Sequence, residues 1–354
     1  MGAITVLLTC TGGVISPSHI QSLKSNPENR PIRVIGTDVT VPCIGQCLSD
    51  NFYQVPFGTH PEYLEKILSI CSKESVDVIF PASHEEALVL AKNEHVFKKY
   101  GIVLAISKID VLEKAFNKKT AYQILKDNCL PCPEFRAVKS LSEFEVAAKD
   151  LGIGKKKIVM KPVISRGGRG ARILTKENIT DRLLNDKPGY LETNYDEIIR
   201  TLSNVEKELF PELLLMEYLP GQIYSVDFLA KNGNALIIVP KIRIFGNASQ
   251  TIVGRVKKNL QIEEMVKKIS KVFGFDYNIN IELACNAQGS PLPFDFNPRI
   301  AASTAFCSAA GANLIYYALK IALGESLPEV KIIDDVVMLR YFKEEYLYPV
   351  GGVI

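Results

Sequence analysis

Asn278-Ile-Asn-Ile-Glu-Leu283, the turn Asn286-Ala-Gln-Gly-Ser-Pro291 and Phe294-Asp-Phe-Asn-Pro-Arg299 are the stretch on which the rest of the chain depends. The first is a β-like run, the second is rich in turn formers, and the third is short enough to return as the partner strand. In an extended backbone alternate side chains share a face, so Asp295 and Asn297 point to one side and Phe294 and Phe296 are expected to be buried on the other. A hairpin would set Glu282 beside them. Two carboxylates and an amide oxygen are hard donors of the kind Mg²⁺ takes, with water and phosphate completing its shell. The same spacing also suits an edge hairpin with a solvated acidic face, and spacing alone does not separate the two.

Composition narrows the classes of function. A chain of 354 residues exceeds one comfortable core and points to two or three domains. Its hydrophobic share of 47 % with 23 % charged residues is that of a globular protein, and a net charge of +3 is too small to argue for nucleic acid or an anionic membrane. No apolar run approaches the roughly 20 residues that span a bilayer. The start, Met1-Gly-Ala-Ile-Thr-Val-Leu-Leu-Thr9, lacks the basic head and cleavage site of a signal peptide and reads as a first strand. Val6 stands where a myristoylation signal needs Ser or Thr. A cytoplasmic location is the expectation. The eight cysteines are scattered; Cys129-Leu-Pro-Cys132 is formally a CxxC, but no second CxxC or nearby His pair completes a zinc site, and buried reduced thiols fit better.

From the N-terminus, β-branched runs alternate with helical segments: strands at residues 3–9, 32–38, 76–81 and 103–106, helices at 61–74 and 85–97. That alternation indicates a parallel, doubly wound sheet, in which ligands bind at the loops beyond the carboxyl ends of the strands. Thr9 to Gly13, Gly36 to Asp38 and Ser83-His-Glu-Glu86 are such loops. The Gly12-Gly13 pair is a weak nucleotide signal and equally a tight turn.

Pro131, Cys132 and Pro133 then break the chain like a domain entry. Lys161 ends a strand, and Ser165-Arg-Gly-Gly-Arg-Gly170 follows between two strands. Bare amides forming a nest beside a point-charge ammonium hold phosphate oxygens, although a flexible surface hairpin has the same composition. Lys118, at the start of a helix, would by itself be a solvated lysine. Leu215-Met-Glu-Tyr-Leu219 followed by Pro220-Gly221 can offer backbone groups to a base edge, or can be plain core. Residues 176–211 read as charged and mostly helical, interrupted at Asp186-Lys-Pro-Gly189.

In their order and spacing, Lys118, Lys161 with its glycine loop, Met216 to Gly221 with Tyr224-Ser-Val-Asp227, and Glu282 with Asp295-Phe-Asn-Pro-Arg299 resemble the ATP-grasp superfamily, most of all the ligases like the large chain of carbamoyl phosphate synthase. The resemblance covers nearly the whole chain. It implies a mixed α/β and α+β protein: a small parallel doubly wound domain over 1–112, an ATP-grasp domain over 113–335 with a central lid at about 120–215 and a remainder at about 216–335, and a strand and tail over 336–354.

The resemblance also implies ATP and Mg²⁺ as cofactors. Lys118 and Lys161 would contact the phosphates, Ser165, Arg166, Gly167 and Gly168 would close over them, and Glu217, Tyr218 and Leu219 would hold adenine largely through backbone groups. Glu282, Asp295 and Asn297 would bind the metal, and Arg299 would steady the transferred phosphoryl group. The family's ribose carboxylate is missing, with Gln222-Ile223 in its stretch, and Ile300 follows Asn-Pro-Arg in place of the arginine seen in carbamoyl phosphate synthases.

The implied activity is ligation of a small carboxylic acid or amino acid to an amine through an acyl phosphate. The expected partners are those small molecules, without nucleic acid or membrane, and a homodimer is compatible. A non-catalytic ATP-binding regulator, a carboxylate kinase and a carbamoyl-phosphate-synthase-like enzyme are the competing readings. For the substrates, Thr11, Gly12, Asp38 and Glu85 are candidates on one side and Lys241, Arg243 and Arg255 on the other. Either arginine could clamp a carboxylate bidentately or could form an ordinary surface ion pair.

Overall fold

The structure is a computed structural model that describes residues 4–165, 167–185, 191–246 and 250–347. Three sheets organise it. The first holds β1 (Ile4–Leu8), β2 (Ile32–Asp38), β3 (Asn51–Gln54), β4 (Val78–Phe80) and β5 (Val103–Leu104), all parallel, in the order β3-β2-β1-β4-β5. Its central strands β1 and β4 are buried on both sides because both faces are covered, while the edge strand β3 is half-exposed. Ile4, Val6 and Leu8 share one core with Ile20 and Leu23, while Leu7, Ile35 and Ile79 share another with Tyr63, Ile67 and Leu90. The strand order reverses between β1 and β4, so the loops after them open a crevice at their carboxyl ends. The helical segment at 85–97 is two helices, His84–Lys92 and Glu94–Lys99, divided at Asn93.

The second sheet contains β6 (Phe135–Val138), β7 (Ile158–Pro162), β8 (Arg172–Thr175), β9 (Glu192–Asn194) and β10 (Leu213–Glu217), in the order β6-β10-β7-β8-β9. Within residues 176–211 the helix Thr180–Asn185 and the 3-10 turn Lys207–Leu209 fit the helical reading, and a strand departs from it. The segment includes β9 paired with β8, and the helix Tyr195–Ser203, which the Asn194 side chain caps. The interruption expected at Asp186 to Gly189 lies outside the described residues.

The third sheet is antiparallel: β11 (Ile223–Lys231), β12 (Asn234–Gly246), β13 (Thr251–Val256), β14 (Tyr277–Cys285), β15 (Pro291–Asn297) and β16 (Val337–Leu339), in the order β15-β14-β11-β12-β13-β16. The helices Leu260–Phe273 and Leu314–Ala322 contribute to separate cores on it. The buried residues of the second helix join those under β1, so the first and third sheets share a core.

β14 and β15 pair as the sequence implies, with Glu282 opposite Asp295 and Asn280 opposite Asn297. One expectation fails. The register slips between Glu282 and Leu283, whose partners are Asp295 and Pro293, so Phe294 is the extra residue of a bulge. The bulge breaks the alternation: Phe294 lines the same cavity as Asp295, whereas Phe296 is buried and stacks on Phe273 with ring centres 5.3 Å apart.

Candidate active site

Asn117 caps the helix Lys118–Asp127 by accepting from the Thr120 amide, which fixes Lys118 at the first turn. The Lys118 amide donates to the Val163 carbonyl, and its ammonium donates to the Ser165 carbonyl at 3.1 Å and lies 3.4 Å from Asp295. Lys161, on β7, is 5 % exposed. Its ammonium donates to the Tyr122 hydroxyl at 2.9 Å and to the Phe294 carbonyl at 2.7 Å, the carbonyl that the bulge turns out of the ladder. Burial pulls the Lys161 pKa down to about 7, with Asp295 opposing and Lys118 reinforcing the shift.

These groups form the charged end of a cavity of about 200 Å³ between the second and third sheets. Its other end is apolar, with Val159, Ile173, Leu191, Leu219, Ile223 and Ala284. Such a pocket suits a flat base with its phosphates toward the lysines. Ser165, Gly167 and Gly168 lie over it, and Gly167 and Gly168 have φ of +55° and +71°, conformations that side chains disfavour. Arg166 lies outside the described residues.

The Glu217 side chain points away from the cavity, which leaves only its backbone for the contact that the resemblance implies. Its carboxylate accepts from the Glu134 amide at 2.9 Å, and its own amide donates to the Glu134 carbonyl. Alternation along β10 turns Met216 and Tyr218 toward the cavity and Glu217 away. Gln222 is exposed, and its amide nitrogen donates to the carbonyls of Ile223 and Arg243.

Glu282 and Asp295 also line a second cavity of about 350 Å³, which the loop after β1, the hairpin and the turn after Arg299 enclose. Burial raises the Glu282 pKa, while Arg243, donating to it at 2.7 Å, opposes the rise. Asn297 donates to Asp295 at 3.2 Å, and its oxygen accepts from Arg299 at 3.1 Å. Among the described residues no three His, Cys, Asp or Glu side chains gather around one point. Two carboxylates and an amide oxygen are too few and too hard for zinc but sufficient for a magnesium ion that keeps water and phosphate in its shell. Arg243 and Lys118 now hold the charge of those carboxylates, where a divalent cation would share it.

Arg299 is largely withdrawn from solvent, which pulls its pKa down against the pull of Asp295. It lines the second cavity and a third of about 390 Å³, joined to it at Cys10, Ala82 and Gly167. Asp38 and Glu85 line the third. Asp38 accepts from the Gly12 amide at 2.6 Å and from the Thr40 amide at 2.9 Å, so it ties the loop after β2 to the loop after β1. Thr11 is fully buried against the Thr37 carbonyl and lines none of these cavities.

Lys241 and Arg255 are not brought into these cavities. Lys241 is 2 % exposed, and its ammonium donates to Asp227 at 2.5 Å and to Cys307 at 3.3 Å. Arg255 pairs across the ladder with Ile242, the neighbour of Arg243, so it points to the opposite face and lies 4.0 Å from Asp335.

Sequence reasoning placed His84 in a polar strand-end loop without a partner and passed over His19 and Tyr122. His84 approaches the Asn297 oxygen at 3.4 Å and packs on Phe116, and burial lowers its pKa to about 3, leaving it neutral. His19 meets the Ala301 carbonyl at 3.0 Å, and burial lowers its pKa to about 4. A histidine or tyrosine gains such a role only from partners far along the chain, and no local pattern marks it.

A family model described as "ATP-grasp in the biosynthetic pathway with Ter operon" matches residues 209–344, and one described as "PylC-like, N-terminal domain" matches residues 7–105. The arginine-specific carbamoyl phosphate synthase large chain of Neurospora crassa mitochondria is 24 % identical over 336 residues, 90 % of this chain and 26 % of that one. The carbamoyl phosphate synthase large chain of Saccharolobus islandicus is 26 % identical over 333 residues, 88 % of this chain and 29 % of that one. The chain thus spans about a quarter of the length of these relatives.

Among solved structures, the N5-carboxyaminoimidazole synthetase of Staphylococcus aureus complexed with ADP superposes with a TM-score of 0.69 at 15 % identity, covering 96 % of this chain and 82 % of that one. The biotin carboxylase domain of Hydrogenobacter thermophilus 2-oxoglutarate carboxylase, in complex with MgADP, ADP and bicarbonate, gives 0.67 at 19 % identity, covering 95 % and 74 %. No helix among the described residues is long and apolar enough to cross a membrane.

Proposed function

We propose that this chain, an ATP-grasp protein by fold and by family model, is an ATP- and Mg²⁺-dependent ligase that joins a small carboxylic acid to an amine, releasing ADP and phosphate. One observation carries the reading. Lys118, Lys161, Glu282 and Asp295 stand where an apolar, base-sized cavity meets a second cavity that Arg243 and Arg299 line. A purely binding protein would not need the carboxylates at that junction.

In this reading the base lies in the apolar end of the first cavity, against Leu219 and Ile173, and Lys118 and Lys161 neutralise phosphate charge. Glu282, Asp295 and Asn297 would hold the metal, which when bound would supply positive charge that screens the phosphates from the incoming carboxylate. The acid occupies the second cavity, where Arg299 and Arg243 present guanidinium groups. One of its carboxylate oxygens attacks the terminal phosphorus, and the bond from that phosphorus to the bridging oxygen breaks, so ADP leaves and an acyl phosphate remains. The amine then attacks the acyl carbon, the carbon–oxygen bond to phosphate breaks, and nitrogen gives up its proton as phosphate departs. The chain supplies position and charge, which is what phosphoryl transfer chiefly needs.

We assign residues 1–112 to a substrate-facing domain and 113–335 to the nucleotide-binding part. Small-molecule partners and a cytoplasmic setting go with this reading.

The test is release of ADP and phosphate when the protein meets Mg-ATP with pools of carboxylic acids and amines. Release that requires one acid and one amine supports ligation. Release that requires the acid alone, with a hydroxamate formed on adding hydroxylamine, would make the protein a carboxylate kinase. ATP binding with no release under any pool would remove catalysis altogether.

A further inference from the structure

A cavity of about 540 Å³ lies away from the nucleotide cleft, between the helix Ser16–Lys24, the short helix Phe306–Ala309 and the edge strand β16. Seven buried side-chain polar atoms lack a hydrogen-bond partner among the described residues, and two of them, Arg340 Nη1 and Ser308 Oγ, belong to residues lining this one cavity. An orphaned buried donor costs free energy on the order of 1–3 kcal/mol, so two in one place call for a missing acceptor.

The charge balance points the same way. No carboxylate among the described residues lies within ion-pair distance of Arg340, and burial pushes its guanidinium pKa down with no acid to restore it. The guanidinium is nevertheless held in place, because Nη2 donates to the Ala302 carbonyl at 2.8 Å. Facing it, Ser18, Gln21, Ser22 and Ser25 line the cavity from one side of their helix. Phe306, Met338, Leu339 and Tyr341 supply the apolar part of the lining, and Ser22 gives its own proton to the Ser18 carbonyl. A planar cation with an unused donor thus shares the cavity with the Ser18 and Ser25 hydroxyls and no carboxylate, which matches a tetrahedral oxyanion.

We propose that this cavity is a second ligand site, which takes a phosphate group through Arg340 and Ser308 with the hydroxyls of Ser18 and Ser25. It is separate from the nucleotide site and does not depend on the activity proposed above. The Arg340 contact to Ala302 links it to the turn that lines the acid cavity.

The experiment is thermal unfolding in inorganic phosphate against sodium chloride of equal ionic strength, for the wild type, Arg340→Gln, Ser308→Ala and Lys161→Met. Phosphate at about ten times its dissociation constant should raise the melting temperature of the wild type and of Lys161→Met by about 2 °C or more. Arg340→Gln should lose the shift and Ser308→Ala should show less of it. If Arg340→Gln fails to fold, the smaller shift in Ser308→Ala carries the test. Three results would overturn the proposal: no shift in the wild type, an undiminished shift in Arg340→Gln or Ser308→Ala, or a shift lost only in Lys161→Met. The last would place the phosphate among the nucleotide lysines.

Discussion

The Lys161 ammonium lies 2.7 Å from the Phe294 carbonyl and 2.9 Å from the Tyr122 hydroxyl, which itself donates to the same carbonyl at 2.9 Å. An ammonium has three N–H donors, and this triangle spends two. The third is left for the cavity, so Tyr122 positions Lys161. Tyr122→Phe should weaken Mg-ATP binding by about tenfold, the order expected for one hydrogen bond to a charged group. In a Lys161→Met background the same change should cost less than about twofold, because the partner is gone. Calorimetric titration of the four proteins checks this, and additive losses would give Tyr122 a role independent of Lys161.

Lys161 also sets a pH dependence. Its pKa in the unliganded protein is about 7, against an ordinary 10.5. At about pH 8 it is mostly neutral there, and in the proposed complex the phosphates of ATP would restore its proton. Binding should then take up close to one proton per site, read as a dependence of the apparent enthalpy on buffer ionisation, and Lys161→Met should abolish it. The sign for stability follows from the same values. Between about 7 and 10.5 the unfolded chain holds a proton that the folded chain lacks, so this group's contribution to stability rises with pH across that window.

Much of this was legible beforehand because it rests on local pattern. Alternation of buried strands with helices gives the first sheet, and the turn at Asn286 to Pro291 gives the hairpin that sets Glu282 opposite Asp295. The bulge at Phe294 was not legible. A period of two predicts an opposite face for Phe294, and only the partner strand shows where the register slips. Lys241 and Arg255 show the same limit. Both are cations near the glycine-containing segment, yet Asp227 sequesters one and a one-residue offset from Arg243 turns the other away. The short β6 and β9 are set by pairing with β10 and β8, not by their own composition.

Gly12 tests the loop that faces the cavity proposed for the acid. A Cβ there would stand 2.6 Å from Asp38 Cγ, closer than any packed atoms tolerate, so Gly12→Ala must push the carboxylate off its two amide donors. The expected cost is about 1–3 kcal/mol, the range for overpacking. Chemical denaturation should show that loss. A change below about 0.5 kcal/mol would mean that the Asp38 tie is dispensable.

Asp295 faces Glu282 across the ladder, donates nothing, and lies 3.4 Å from Lys118. Asp295→Asn keeps the shape but removes the charge that a divalent cation needs and leaves Lys118 without its counter-ion. If the hairpin is the metal wall, turnover should fall by at least about 10²-fold, the order seen when a single stabilising group is lost from a transition-state site. The melting temperature should move by only a few degrees, since the side chain is partly solvated and the β14–β15 ladder is untouched. Assays of ADP release beside thermal unfolding separate the two effects. Unchanged turnover would remove the metal from Asp295, and a large loss of stability would show that the Lys118 pair supports the fold itself.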